Sequence, residues 1–390
     1  MQVKETTVVV VGGGPAGLAA SVCLTMENVP NIVLERDDIY APLWKKKSYD
    51  RLRLHLAKQF CELPYMAYPP ETPRYVPKDK FIDYLDSYVS KFGINPVCNR
   101  RVVSAEYDGE AGRWIVVAEN TAAGEEKTSA VEKYVAEFLV VATGENSVGR
   151  IPAIPGLEMF AGETLHTADY RNGKRFQDKS VLVVGCGNSG MEIALDLSNW
   201  GAQTSIVIRS HVHVLRDEHV KVGMELLEKG VEVETVDEVV VMLGDAIYGD
   251  LSEYGITRPS EGPFRMKQSK GRSAVIDVGT VGKIKARQIK VFPAVEEIAG
   301  EDVHFADGRT GRFDAIVFAT GYNSTVMKWL KDDGGLFGEN GMPKMRSPNH
   351  WKGEKKIYCT GFASAGLKGI AIDALNIAHH ITTSITNQPT

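Results

Sequence analysis

Two copies of one short pattern, far apart in the chain, limit what it can become: Gly12, Gly14 and Gly17 in VVVVGGGPAGLAA, and Gly185, Gly187 and Gly190 in SVLVVGCGNSGMEIA. Each follows a short apolar run that reads as a buried parallel strand, and each opens a segment with the apolar spacing of a helix. A pyrophosphate settles on backbone N–H groups at a helix N-terminus only where no side chain blocks its approach. Small or turn-forming residues fill the gaps between the glycines, Pro15 and Ala16 in the first copy and Asn188 and Ser189 in the second. One copy alone would also fit a turn that merely packs tightly. Two copies in the same strand, turn and helix setting imply two bound dinucleotides.

The residue at the end of the next strand separates the two sites. In dinucleotide sites an acid about 20 residues further on accepts hydrogen bonds from a ribose diol. After the first turn, NIVLERDD places Glu35 there, so that site suits FAD or NAD. After the second, TSIVIRS places Arg209 and Ser210 there instead. A guanidinium matches a 2′-phosphate bidentately, so the second site suits NADPH. The plain alternative for Arg209 is a solvated arginine at a strand end.

Composition excludes several other classes. With 390 residues, 43% hydrophobic and 24% charged, the chain is long enough for two or three globular domains. A net charge of −5 with interspersed signs argues against nucleic acid as a partner, and Lys45, Lys46 and Lys47 are too short a basic run to reverse that. No apolar run reaches the roughly 20 residues of a membrane span, and the first strand starts close to Met1, so a cytoplasmic protein without a leader peptide is expected. The cysteines number 5 and contain no CxxC pair, which disfavours the disulfide reductases that share a two-dinucleotide layout. Cys186 stands in the second glycine turn as a small spacer. His211 and His213 alternate in a strand-like HVHV, and with no further ligand nearby they read as structural or as bordering the nucleotide phosphate; no metal site is expected.

The order of elements then follows. Arg113–Glu119 and Lys133–Gly144 read as strands joined by a hairpin tip in NTAAGEEKTSAVE, and Pro152 and Pro155 mark a linker. DAIVFATGY near the end of the chain echoes FLVVATGEN, each a strand that ends beside a nucleotide. The expected fold is α/β, with two nested Rossmann-like domains: a first dinucleotide domain over 1–165, an inserted second one over 166–285, and a return to the first over 286–390.

With these residues placed, the chain resembles the plant flavin-containing monooxygenases of the YUCCA type along nearly its whole length. FAGETLHTADY fits the FxGxxxHxxxY signature of flavin monooxygenases through Phe160, Gly162, His166 and Tyr170. The Tyr49–Pro64 segment, the ATGEN turn and GLKGIAIDA resemble the YUCCA branch in particular. The resemblance implies FAD held by Gly12, Gly14, Pro15, Ala16, Gly17, Glu35, Arg36, Trp44, Val102, Thr143, Gly144, Gly361 and Gly366. It implies NADPH held by Gly185, Gly187, Asn188, Ser189, Gly190, Arg209 and Ser210. A helix starting near Lys368 is expected to turn its N-terminus to the flavin. Phe362 follows Gly361 where many such proteins carry an aspartate for the ribityl chain, so that contact must come from elsewhere.

The activity implied is NADPH- and O2-dependent oxidative decarboxylation of an aromatic 2-keto acid, indole-3-pyruvate giving indole-3-acetic acid, through a C4a-peroxyflavin. No side chain is needed as nucleophile. The implied role of the signature residues is to fit the two nucleotides together, with plain linker packing as the alternative. In YDRLRLHL the alternation puts Arg51, Arg53 and His55 on one strand face. That face either binds the keto acid's carboxylate near the flavin or is simply a polar outer face. General N- or S-oxygenation, a Baeyer–Villiger reaction and a non-catalytic NADPH sensor are the other readings of the same motifs.

Overall fold

The computed structural model describes residues 2–122 and 131–387, so most of the expected hairpin tip, residues 123–130, lies outside the described residues. The chain forms two compact units, one of residues 1–46, 58–148 and 322–390, the other of residues 47–57 and 149–321.

The first unit is organised by the apolar run that precedes the first glycine turn. β1 (Gln2–Val11) pairs in parallel with β2 (Asn31–Leu34) on one side and β5 (Val131–Val141) on the other. Val8, Val9 and Val10 are wholly buried, as a strand covered on both faces requires. β5 is shared between two pairings. Its first half pairs antiparallel with β4 (Arg113–Asn120), which pairs with β3 (Arg100–Asp108), while its second half pairs in parallel with the late strand Ile357–Cys359. α1 (Pro15–Met26) packs against the C-terminal helix Gly366–Thr386, so the end of the chain does return to the first unit.

The second unit holds a five-stranded, wholly parallel sheet. β6 (Glu163–His166), β7 (Ser180–Val184), β8 (Gln203–Val207), β9 (Ile289–Phe292) and β10 (Ala315–Phe318) lie in the order β9, β8, β7, β10, β6. α2 (Asn188–Asn199) follows β7 through the second glycine turn. This corrects the expected boundaries. Residues 149–165 and 286–321 belong with the second unit because β6 and β9 complete its sheet, with Phe318 opposite His166 and Val291 opposite Ile206.

Segment 47–57 is a second correction, since it leaves the first unit to join the second. It forms no strand despite its alternation. Instead Tyr49 enters the second unit's core, the Asp50 N–H donates to the Arg171 carbonyl at 2.8 Å, and Asn172 Nδ2 donates to the Asp50 carboxylate at 2.7 Å. Backbone groups satisfied by a loop take no part in a strand ladder. Residues 211–213 are likewise irregular: His213 is buried and hydrogen-bonded to the Glu261 carbonyl at 2.7 Å, whereas His211 is exposed beside Thr257, so the two do not share a face.

Candidate nucleotide sites

In the first unit each glycine of the turn has a distinct steric reason. Gly12 has φ +112°, and a Cβ there would stand 2.5 Å from the Ala142 carbonyl oxygen at the end of β5. A side chain on Gly17 would fall on the Gly12 carbonyl, so Gly17 lets α1 close onto the strand. Gly14 is different: nothing lies within 4 Å of its would-be Cβ, and its backbone is extended at φ −75°. That open space precedes Pro15 and Ala16 at the start of α1, where free N–H groups and the helix dipole favour an anion. Glu35, 5% exposed, accepts from the Gly13 N–H at 2.7 Å and from the Asp37 N–H at 2.9 Å. Burial pushes its carboxyl above the usual range, and the two N–H groups partly offset this.

Around this turn the other expected residues take up different tasks. Thr143 and Gly144 follow the end of β5 by way of Ala142, and the Thr143 hydroxyl is buried with no partner among the described residues. Gly361, φ +84°, passes so close to α1 that a Cβ would stand 2.9 Å from that of Ala16, and Gly366 opens the C-terminal helix two residues before Lys368. The rim is tied together by Ser364 donating to Glu145 at 3.0 Å. Arg36 is exposed and donates to the Ser147 carbonyl at 3.0 Å. Trp44 packs edge-on to Phe81 with centroids 4.5 Å apart, and Val102 packs against the sheet core. Phe362 is core as well, 5.4 Å from Phe337 between ring centroids.

The second unit repeats the construction. Gly185 has φ +111°, with the Ala319 carbonyl oxygen 2.5 Å from a would-be Cβ; Gly190 closes on the Gly185 carbonyl; Gly187 faces open space. At the end of β8 no carboxylate occupies the position that Glu35 holds in the first unit. Arg209 is exposed there and has no hydrogen-bond or ion-pair partner among the described residues, with Ser210 beside it. Burial raises the Cys186 thiol in the turn, while the guanidinium charges of Arg272 and Arg209 pull it back. Arg272 was not legible in the sequence: it reaches this turn from a distant loop and donates to the His211 carbonyl at 3.2 Å.

The profile of the flavin-binding monooxygenase-like family matches residues 5–333. Over 378 residues, 97% of this chain and 97% of the relative, the sequence is 51% identical to the Arabidopsis thaliana protein named probable indole-3-pyruvate monooxygenase YUCCA10. The chain belongs to the YUCCA-type flavin monooxygenases. Indole-3-pyruvate monooxygenase YUCCA1 of Oryza sativa subsp. japonica is 44% identical over 386 residues, 97% of this chain and 92% of the relative. The solved flavin-containing monooxygenase of Stenotrophomonas maltophilia shares the fold with a TM-score of 0.72 at 21% identity, covering 99% of this chain and all of that one.

In this YUCCA-type chain the signature residues are held by contacts within the second unit. Phe160 packs in the core beside β10, and Gly162 leaves room for the Asp314 carbonyl, 2.5 Å from a would-be Cβ. His166 Nε2 donates to the Gly321 carbonyl at 3.0 Å while its Nδ1 accepts from the Ala168 N–H at 3.2 Å, and burial lowers its pKa. Tyr170 is buried and donates to Asp196 of α2 at 2.7 Å.

Segment 47–57 separates the residues that its alternation grouped. Arg53 pairs with Asp217 at 2.8 Å. Arg51 has no hydrogen-bond or ion-pair partner among the described residues, although its charge is felt by the buried phenols of Tyr49 and Tyr170. His55 joins the second glycine turn itself. Asn188 accepts from the Ile276 N–H at 2.8 Å, so its Nδ2 faces His55 Nδ1 at 3.2 Å; that nitrogen accepts, and Nε2–H donates to Glu192 at 2.6 Å. Glu192, 1% exposed, was missed, and its only signal was an acid inside the otherwise apolar MEIALDL run.

Proposed function

We propose that this chain is an NADPH- and O2-dependent monooxygenase that converts indole-3-pyruvate to indole-3-acetic acid, with FAD on the first glycine turn and NADPH on the second. The observation that carries the assignment of nucleotides is the contrast at the strand ends: a buried Glu35 in one unit, an unpaired Arg209 in the other. The unpaired Thr143 hydroxyl and the open faces of Gly14 and Gly187 fit groups that bring their own oxygens to these places.

Bound flavin supplies the redox chemistry and the activation of O2. The remaining tasks fall to the protein. Gly14 and the start of α1 hold one pyrophosphate; Gly187 and the start of α2 hold the other; Glu35 takes the adenosine ribose hydroxyls and Arg209 with Ser210 the 2′-phosphate. Arg51 is the candidate for the carboxylate of the keto acid. Overall, one oxygen atom of O2 enters the new carboxylic acid and the other leaves as water, the carboxyl carbon of the substrate departs as CO2, and NADPH is oxidised to NADP+.

The test is product stoichiometry with purified protein, NADPH, O2 and indole-3-pyruvate. Indole-3-acetic acid and CO2 should form in step with NADPH consumed, with phenylpyruvate as a poorer substrate. Hydrogen peroxide alone from every keto acid, together with stoichiometric oxygenation of an amine or thioether, would overturn the proposal in favour of general heteroatom oxygenation.

A further inference from the structure

The hydroxyls of Thr143, Thr360 and Thr382 in the first unit are buried with no hydrogen-bond partner among the described residues; Thr382 lies on the C-terminal helix, whereas Thr143 and Thr360 follow strands of the sheet. Thr360 directly follows its parallel strand and Thr143 is the second residue after β5, both at the carboxyl edge of the sheet. Thr360 is 0% exposed, and its N–H donates to the Val141 carbonyl at 3.0 Å, next to the pairing of Cys359 with Val141. Nucleotides bind at this edge in doubly wound sheets. A hydroxyl sealed from water and left unpaired is rare and destabilising.

An unpaired hydroxyl is not a general property of such turns. In the second unit Thr320 stands between Ala319 and Gly321 as Thr143 stands between Ala142 and Gly144, and its hydroxyl donates to the Arg150 carbonyl. Thr360 is also held firmly in place. Gly361 beside it sits tightly against Ala16 in the first turn of α1, and Phe362 is a buried core residue with nothing polar to offer.

We propose that the Thr360 hydroxyl is a direct contact to the flavin nucleotide, donating to an oxygen of its pyrophosphate–ribityl stretch beside the N-terminus of α1. The inference rests on the reading of the first turn as the FAD site. Thr360 is thereby the polar anchor of a glycine turn whose neighbouring side chain is an aromatic core residue.

The experiment compares Thr360→Val, which keeps the shape and removes the hydroxyl, with Thr360→Ser, which keeps the hydroxyl. FAD release from each holoenzyme is followed on dilution by the recovery of flavin fluorescence, and thermal unfolding is recorded with FAD saturating and after its removal. Thr360→Val should release FAD about tenfold faster than wild type, and Thr360→Ser should stay close to wild type. The cofactor-free Val variant should melt at or above cofactor-free wild type, because a methyl group replaces an unpaired hydroxyl. Unchanged FAD release in Thr360→Val, or equal destabilisation with and without FAD, would overturn the role of Thr360. A wild-type protein that binds no FAD would instead overturn the reading on which it rests.

Discussion

Replacing Gly187 with Ala separates a glycine needed by the ligand from one needed by the fold. Nothing lies within 4 Å of a Cβ at Gly187, and its backbone at φ −70° and ψ −179° suits any residue. Restricting the unfolded chain stabilises such a Gly→Ala change by about 0.4–1 kcal/mol, and the poorer helix N-cap costs about as much. The net effect on stability should stay within about 1 kcal/mol, a shift in Tm of no more than about 4 °C. The added methyl group, however, occupies the space through which the pyrophosphate approaches the backbone. Losing a charge-assisted hydrogen bond there costs about 1.5–3 kcal/mol, which weakens NADPH about 10- to 150-fold. Gly190→Ala is the control. Its Cβ would fall on the Gly185 carbonyl, so α2 must shift off the sheet at a cost of about 1–3 kcal/mol. Thermal unfolding gives stability, nucleotide titration gives affinity, and dithionite bleaching shows that flavin is still present. Gly187→Ala with unchanged NADPH affinity, or with lost flavin, would refute the reasoning.

Arg209→Ala should weaken NADPH by about 1.5–3 kcal/mol and leave NADH nearly unchanged, measured as the ratio of their dissociation constants; wild type that uses both nucleotides equally would refute the 2′-phosphate role. Arg51→Ala should raise KM for the keto acid while NADPH-driven flavin reduction keeps its rate, whereas Arg53→Ala, which breaks the half-exposed pair with Asp217, should cost at most about 1 kcal/mol of stability. A larger KM effect from Arg53→Ala than from Arg51→Ala would reverse their roles. Burial alone would raise the Glu132 carboxyl, but Arg100, the Tyr134 phenol and Lys4 hold it down to about 2 from an ordinary 4.5. As pH falls the unfolded chain takes up this proton first, so the stability it contributes is present above about 4.5, erodes below that, and is gone below about 2. The stability gap between wild type and Glu132→Gln should therefore shrink across that window in acid unfolding; a constant gap would contradict it.

The nucleotide turns were legible because everything that defines them is local. The glycines, the apolar strand before them and Glu35 or Arg209 after them all fall within one strand–helix–strand stretch, and the ATG that follows each partner strand supplies the close carbonyl. The unit boundaries were not legible, because they depend on pairings between distant strands, β6 with β10 and β9 with β8. The alternation in YDRLRLHL misled for the same reason. Period-2 spacing marks a strand only if a ladder partner exists, and here Asp50 and Asn172 settle the backbone in a loop while Arg53 and His55 turn to separate partners. Glu192 lay beyond reach because its partner His55 is brought to it only by the fold.

The sharing of β5 between its neighbours has a consequence for how the chain is made. The second half of β5, Leu139, Val140 and Val141, acquires its outer neighbour only when residues 357–359 arrive. At ordinary ribosomal speeds that apolar edge stays open for tens of seconds while the whole second unit is synthesised. An open strand edge of this kind is a template for pairing with other chains. A nascent chain stopped at residue 356 is therefore expected to keep both glycine turns and yet be found in the insoluble fraction, because the strand that would seal the edge, and the helix Gly366–Thr386 beyond it, have not been translated.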